Sequence, residues 1–191
     1  MTALTSIAAR RAVFLDRDGV INRNREDHVK SWEEFERLPG VLGAFRCLAH
    51  SELLVVVVSN QSAIGRGLTT SERVDDINSR MISAVHRVGG RIDAVYYCPH
   101  TPESGCSCRK PKPGLLQRAA EELEIDLSRS YLVGDQQSDM EAALAAGCKR
   151  ILVGEITPGR HTQEAASDRS FARASCLNAA VDLILVEAER R

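Results

Sequence analysis

Carboxylates recur in this sequence directly after apolar runs. Asp16 and Asp18 follow the run from Ala12 to Leu15, Asp135 and Asp139 follow Tyr131 to Val133, and Ser59-Asn60 closes the run from Leu53 to Val58. Asp and Asn at such places often only start turns or cap helices. A turn at Asp16, however, gives no reason for a second carboxylate at Asp18. Carboxylates gathered in one small pocket repel one another unless a hard cation neutralises them, and oxygen-only ligation suits Mg2+. A basic residue beside such a cation makes a phosphate site. Lys110, in Arg109-Lys110-Pro111-Lys112-Pro113-Gly114, lies just before an expected helix whose N-terminus also favours anions. Lys112 in the same run reads as a solvated surface charge.

A second grouping is Cys98-Pro99-His100 and Cys106-Ser107-Cys108, a C-x-H and a C-x-C pair separated by five residues. Three thiolates and one imidazole make a tetrahedral set with no open position, which is a structural rather than a catalytic zinc site. The plainer alternative makes Cys98 a core residue and the C-x-C a redox pair. Zinc would staple a loop, 98–108, that contains Pro99, Pro102 and Gly105 and has no apolar core of its own. Arg109 and Lys110 follow at once, so ordering the loop would position the phosphate-binding cation. Cys47, Cys148 and Cys176 read as small buried side chains. Six cysteines imply no disulfide framework in a chain that is neither small nor visibly exported.

These groups need elements to bring them together. Ala12 to Leu15 reads as a buried strand, helical spacing runs from Val41 through Leu48, and Leu53 to Val58 reads as a central parallel strand. Thr69-x-x-Glu72 has the form of a capping box, after which Val74, Ile77, Met81, Val85 and Val88 follow at helical steps up to Gly89-Gly90. Ala94 to Tyr97 is a third strand, and Pro113-Gly114 opens a helix carrying Leu115, Leu116, Ala119, Ala120 and Leu123. Tyr131 to Val133 is a fourth strand, Met140 to Ala146 a short helix, Ile151 to Val153 a fifth strand and Leu177 to Glu187 a last helix. The polar stretch from Gly154 to Ser175 has no clear period.

Alternating strands and helices imply an α/β fold, a three-layer parallel sheet with helices on both faces. Ligands in such sheets bind beyond the carboxyl ends of the strands, where the carboxylates lie. With 191 residues, 43% hydrophobic, and neither repeat nor linker, one domain over 1–191 is expected. Basic and acidic residues number 25 and 26, for a net charge of −1, which argues against nucleic acid or anionic lipid as a partner. The apolar run of Leu53 to Val58 is far short of the roughly 20 residues that cross a bilayer. Arg10-Arg11 follows the weakly apolar N-terminal segment instead of preceding it, unlike a signal peptide. A cytoplasmic monomer acting on a small phosphorylated substrate is the expectation.

Phe14-Leu15-Asp16-Arg17-Asp18-Gly19-Val20-Ile21-Asn22 resembles the first signature of the haloacid dehalogenase (HAD) superfamily of phosphatases. Ser59, Lys110 and Gly134-Asp135-x-x-x-Asp139 resemble the second, third and fourth signatures in order. The resemblance implies a Rossmann-like HAD fold, here without a large cap domain. It implies Asp16 as the nucleophile that becomes an aspartyl phosphate, and Asp18 as general acid and base with a pKa lifted towards neutrality. Mg2+ would be held by Asp16, the main-chain carbonyl of Asp18 and Asp135. Ser59 and Lys110 would hold the phosphoryl group, and Asp139 would orient the metal shell.

The zinc loop resembles two branches, the D-glycero-D-manno-heptose 1,7-bisphosphate 7-phosphatases and the histidinol-phosphate phosphatases. Ser59-Asn60-Gln61-Ser62-Ala63-Ile64-Gly65-Arg66-Gly67 resembles the heptose branch, which implies substrate contacts from Asn60, Gln61, Ser62 and Arg66. By the same resemblance Arg109 contacts substrate, Asn24 to Asp27 form the substrate-facing loop, and the Gln136 main chain aids the metal site. Asp27-His28 stand where that branch commonly has Gly-Tyr, and the five-residue spacer is closer to the histidinol-phosphate branch. A phospho-accepting receiver domain is disfavoured by the D-x-D spacing and the zinc loop. A purely structural zinc module leaves Asp16, Asp18 and Asp135 unexplained.

Overall fold

The computed structural model describes residues 9–154 and 171–189. β1 (Ala12–Leu15) is buried at every position. Its pleat sends Val13 and Leu15 to one face of the sheet and Ala12 and Phe14 to the other. A strand buried on both faces needs helices on both sides. α1 (Val41–Ala49), α3 (Ser71–His86) and α6 (Leu177–Glu189) cover the Val13 face, while α4 (Gly114–Leu123) and α5 (Gln137–Ala146) cover the Phe14 face. The three layers are those the sequence implies.

The other strands are β2 (Leu54–Asn60), β3 (Ala94–Cys98), β4 (Tyr131–Gly134), β5 (Lys149–Val153) and β6 (Ala172–Ala174). All pair in parallel, in the order β3-β2-β1-β4-β5-β6. The order reverses between β1 and β4, and beyond the carboxyl ends at that reversal the sheet leaves a crevice. Asp16 to Asp18 leave β1 and Asp135 leaves β4 at that crevice. Between β1 and α1, residues 16–40 hold only a three-residue 3-10 turn, Trp32–Glu34, and isolated bridges. Among the described residues no large cap stands over the strand ends, and no helix is long and apolar enough to cross a membrane.

Several boundaries differ from the sequence reading. The cap of α3 is Thr70, whose side chain accepts from the Arg73 N–H at 3.4 Å, because Thr69 is buried and its hydroxyl donates instead to Lys30 O at 3.0 Å. α5 begins at Gln137, since Gln136 and Asp139 form a reciprocal capping box that carries the polar first turn. β2 runs on through Ser59 and Asn60, and β3 through Cys98. A sixth strand lies inside the stretch from Gly154 to Ser175; its residues 155–170, like the N-terminal segment 1–8, are outside the described residues. Cys148 is buried, but Cys47 and Cys176 are exposed, contrary to expectation. α1 turns Val41, Ala44, Phe45 and Leu48 inward, so Cys47 must face out, and Cys176 precedes α6.

Candidate active site and metal centre

Asp16 is fixed where β1 meets β4. Its N–H donates to Val133 O at 2.9 Å, and its Oδ1 accepts from the Arg17 N–H and from Lys110 Nζ, each at 2.8 Å. Two glycines let the other carboxylates close in. Gly19 has φ +93°, and a Cβ there would lie 2.1 Å from Asp135 Oδ2; a Cβ on Gly134 would lie 2.3 Å from Asp139 Cβ. Carboxylate oxygens of Asp16, Asp135 and Asp139 consequently fall within 4.8 Å of one another.

Lys110 is the cation of this cluster. It is 4% exposed, with Nζ 2.8 Å from Asp16 Oδ1, 2.7 Å from Asp139 Oδ1 and 3.0 Å from Val58 O. Burial alone would lower the ammonium pKa, but Asp139 and then Asp16 outweigh it and hold the group firmly charged. Burial pushes the Asp16 carboxyl upward, against the pull of Lys110 and with help from Asp139. Asp135 is pushed up to about 6, again chiefly by burial. Its Oδ1 is buried and accepts no hydrogen bond. Carboxyls this reluctant to ionise, one with an unsatisfied inward oxygen, form an oxygen-only donor set that fits Mg2+. Asp139 Oδ1 is ion-paired with Lys110 Nζ, and its Oδ2 accepts from the Gln136 N–H at 3.1 Å. Gln136, whose main chain was expected to aid the metal site, stands beside it with its N–H spent on Asp139.

Asp18 differs from expectation. Arg17, 0% exposed, donates to it from Nη2 at 3.0 Å, Asn22 Nδ2 donates at 2.8 Å and Gln61 Nε2 at 2.8 Å. Burial would raise its pKa, but Arg17 and then the two amides outweigh burial and hold the carboxyl below its ordinary value. The side chain turns towards these donors and away from the acidic neighbours that would lift it. The middle residue of the D-x-D triplet, visible in the sequence, was the signal for this.

The strand ends open on a polar crevice of about 200 Å³, lined by Asp16, Asp18, Ser59, Lys110 and Arg109 among others. Asn24, Asn60 and Ser62 also line it, as does His28, which stands at φ +65°. Asp27, Gln61 and Arg66 do not. Asp27 pairs with Arg25 at 3.0 Å and Lys30 at 2.6 Å, Arg66 is exposed at the end of α2 (Ser62–Gly65), and Gln61 is buried between Asp18 and Ser59. Asn60 uses its side-chain amide on the Lys110 backbone: Nδ2 donates to Lys110 O at 3.0 Å and Oδ1 accepts from Lys110 N at 3.1 Å. A larger hollow of about 490 Å³, near Tyr131, Lys149 and Leu183, lies at the opposite ends of β4 and β5 and is not reached by these carboxylates.

Beside the crevice, Cys98 Sγ lies 3.6 Å from Cys106 Sγ, 3.3 Å from Cys108 Sγ and 3.5 Å from His100 Nδ1, and Cys108 Sγ lies 3.5 Å from Cys106 Sγ and 3.3 Å from His100 Nδ1. Disulfide sulfurs stand at about 2.05 Å, and all six cysteines are free thiols. Tetrahedral bonds of about 2.3 Å to one ion would set sulfurs about 3.8 Å apart, so the four ligand atoms are compatible with zinc. Lys112 is exposed but not merely solvated, since Nζ donates to Gly105 O at 2.7 Å and Cys106 O at 2.8 Å.

Residues 107–179 match the HAD-hydrolase-like family model. The chain is 41% identical over 141 residues to a D-glycero-beta-D-manno-heptose-1,7-bisphosphate 7-phosphatase of Pseudomonas putida, covering 74% of this chain and 81% of that one. It is 39% identical over 165 residues to the Escherichia coli K12 protein of the same name, covering 82% and 86%. The crystal structure of D,D-heptose 1,7-bisphosphate phosphatase from Bordetella bronchiseptica, complexed with magnesium and phosphate, superposes with TM-score 0.85 at 36% identity, over 93% of this chain and 99% of that one. With its strand-end carboxylates, buried lysine and cysteine loop on a HAD fold that shows no large cap among the described residues, the chain is a HAD-superfamily phosphatase and belongs to the D-glycero-beta-D-manno-heptose-1,7-bisphosphate 7-phosphatase family.

Proposed function

We propose that the protein hydrolyses D-glycero-D-manno-heptose 1,7-bisphosphate at the 7-phosphate, through an aspartyl phosphate on Asp16. The observation that carries this reading is the Lys110 ammonium, 2.8 Å from Asp16 in a polar crevice, in a chain about 40% identical to enzymes named for that reaction. Asp16, Asp135 and the main-chain carbonyl of Asp18 would hold Mg2+, which when bound neutralises charge between carboxylate and phosphate. An Asp16 carboxylate oxygen forms the new bond to phosphorus as the ester oxygen leaves. Lys110 balances charge on the phosphoryl oxygens, and the Ser59 hydroxyl donates to one of them. Asp18 gives its proton to the departing alkoxide and then takes one from the water that hydrolyses the acyl phosphate. Arg17 favours the ionised form of Asp18, and the negative charge of an arriving phosphate ester acts in the opposite direction, towards uptake of that proton.

The test is phosphate release in the presence of Mg2+ from heptose 1,7-bisphosphate and from histidinol phosphate, with Asp16→Asn as control. The higher kcat/KM is expected on the heptose. If both compounds were inert while other phosphate esters turned over, the substrate would be wrong and the reaction class right. Equal turnover by Asp16→Asn would refute the mechanism.

A further inference from the structure

The cysteine loop is clasped by a lysine outside it. Lys112 Nζ reaches the carbonyl oxygens of Gly105 and Cys106 at 2.7 and 2.8 Å, while the Lys112 N–H closes the preceding turn onto Arg109 O at 2.9 Å. The start of α4 meets the same loop, since a Cβ on Gly114 would stand 2.4 Å from Ser107 O. The Arg109 guanidinium, by contrast, touches the loop only through a long 3.4 Å bond to His100 O. The ammonium of Lys112 is thus the main side-chain tie between the cysteine loop and the turn that bears Arg109 and Lys110.

Charge leads to the same place. Three thiolates and one Zn2+ leave one surplus negative charge on the sulfurs, and the Lys112 ammonium is bonded to the carbonyl of a ligand residue, Cys106. Groups just outside a metal's ligands fix their orientation and tune affinity. A lysine can do both only while its charge and its reach to the two carbonyls are kept.

We propose that Lys112 is a positioning residue: it strengthens zinc retention by the cysteine loop and, through the Arg109 to Lys112 turn, holds Arg109 and Lys110 against the substrate phosphate. The first effect depends on the cysteine cluster alone; the second rests on the phosphatase reading above.

The experiment uses full-length, zinc-loaded protein with Lys112→Met and Lys112→Arg. The side chain is exposed, so neither change leaves a buried void. Zinc transfer to a chromophoric chelator is followed without substrate. Lys112→Met should release zinc with an affinity about 10–100-fold weaker, and Lys112→Arg should stay close to the wild type. At full zinc occupancy, kcat/KM on the heptose bisphosphate should fall about 10-fold in Lys112→Met, with recovery in Lys112→Arg. Wild-type zinc transfer by Lys112→Met overturns the proposal. Weaker zinc binding with undiminished kcat/KM at full occupancy overturns the positioning role. An inert wild-type protein would count against the phosphatase reading alone, since zinc transfer needs no substrate.

Discussion

Replacing Lys110 with methionine keeps most of the buried stem and removes one charge from between two buried carboxylates. Lys110 Nζ holds Asp16 Oδ1 at 2.8 Å and Asp139 Oδ1 at 2.7 Å, and Asp139 is 1% exposed. Breaking a buried ion pair by removing one partner costs about 3–5 kcal/mol, because the other charge stays behind unpaired. For a protein of this size each kcal/mol moves Tm by about 2–4 °C, so a fall of about 6–20 °C is expected at pH 8. The loss should not grow on acidification. A carboxyl whose folded pKa is raised contributes stability fully below its unfolded pKa and loses it as pH rises through the folded pKa. Burial pushes Asp16 up to about 8, so at pH 5 it holds its proton with or without Lys110. Lys110→Met/Asp139→Asn should recover much of the loss, whereas Asp139→Asn alone should not improve on the wild type. Thermal unfolding of the four proteins at pH 5 and pH 8 forms a double-mutant cycle. A penalty under about 1 kcal/mol at pH 8, typical of exposed pairs, or one that grew on acidification, would refute the reasoning.

Gly19→Ala places a methyl 2.1 Å from Asp135 Oδ2 at φ +93°; it should cost at least about 1 kcal/mol and weaken Mg2+ binding, both readable by calorimetry. Asn60→Ala removes both side-chain bonds to the Lys110 backbone, with an expected loss of about 1–3 kcal/mol and a lower kcat. Asn60→Asp should not restore activity, since a carboxylate cannot donate to Lys110 O. The Tm gain from Mg2+ should be larger at pH 8 than at pH 5.5, because Asp16 and Asp135, the latter at about 6, bind protons in the folded state that the cation must displace; an equal gain at both pH values counts against those two residues as ligands. Cys106→Ala should lose zinc and most turnover, checked by metal analysis beside phosphate release; full turnover in zinc-free protein would separate the loop from catalysis.

Apolar runs as short as Ala12–Leu15 and Tyr131–Gly134 were legible because strands buried on both faces carry no polar interruption. The chemistry after them was legible for the opposite reason, since charges follow with no gradual change in composition. β6 was not, because Ala172–Ala174 includes Arg173 and is only three residues long at the sheet edge. Side-chain direction was harder still. Nothing in the spacing of Asn60 shows that its amide faces the Lys110 backbone, fifty positions on, or that Lys112 reaches back to the cysteine loop. Asp27 was drawn to Arg25 and Lys30, two local partners whose pull depends on a loop conformation that periodicity does not describe.

Arg17 has a consequence for how inactive variants are made. It is wholly buried, and its guanidinium joins Asp18 to Gln61 Oε1 at 2.9 Å and to Asn78 Oδ1 of α3 at 3.4 Å. Asp18 is the one carboxylate paired with it among the described residues. Asp18→Ala would therefore strand a cation in the interior as well as remove the proton carrier, and its residual rate would mix chemistry with a loosened junction between the catalytic turn and α3. Asp18→Asn keeps an acceptor for Arg17 and is the cleaner reference. A loss of rate there can be ascribed to the proton, provided the variant's Tm is measured beside it.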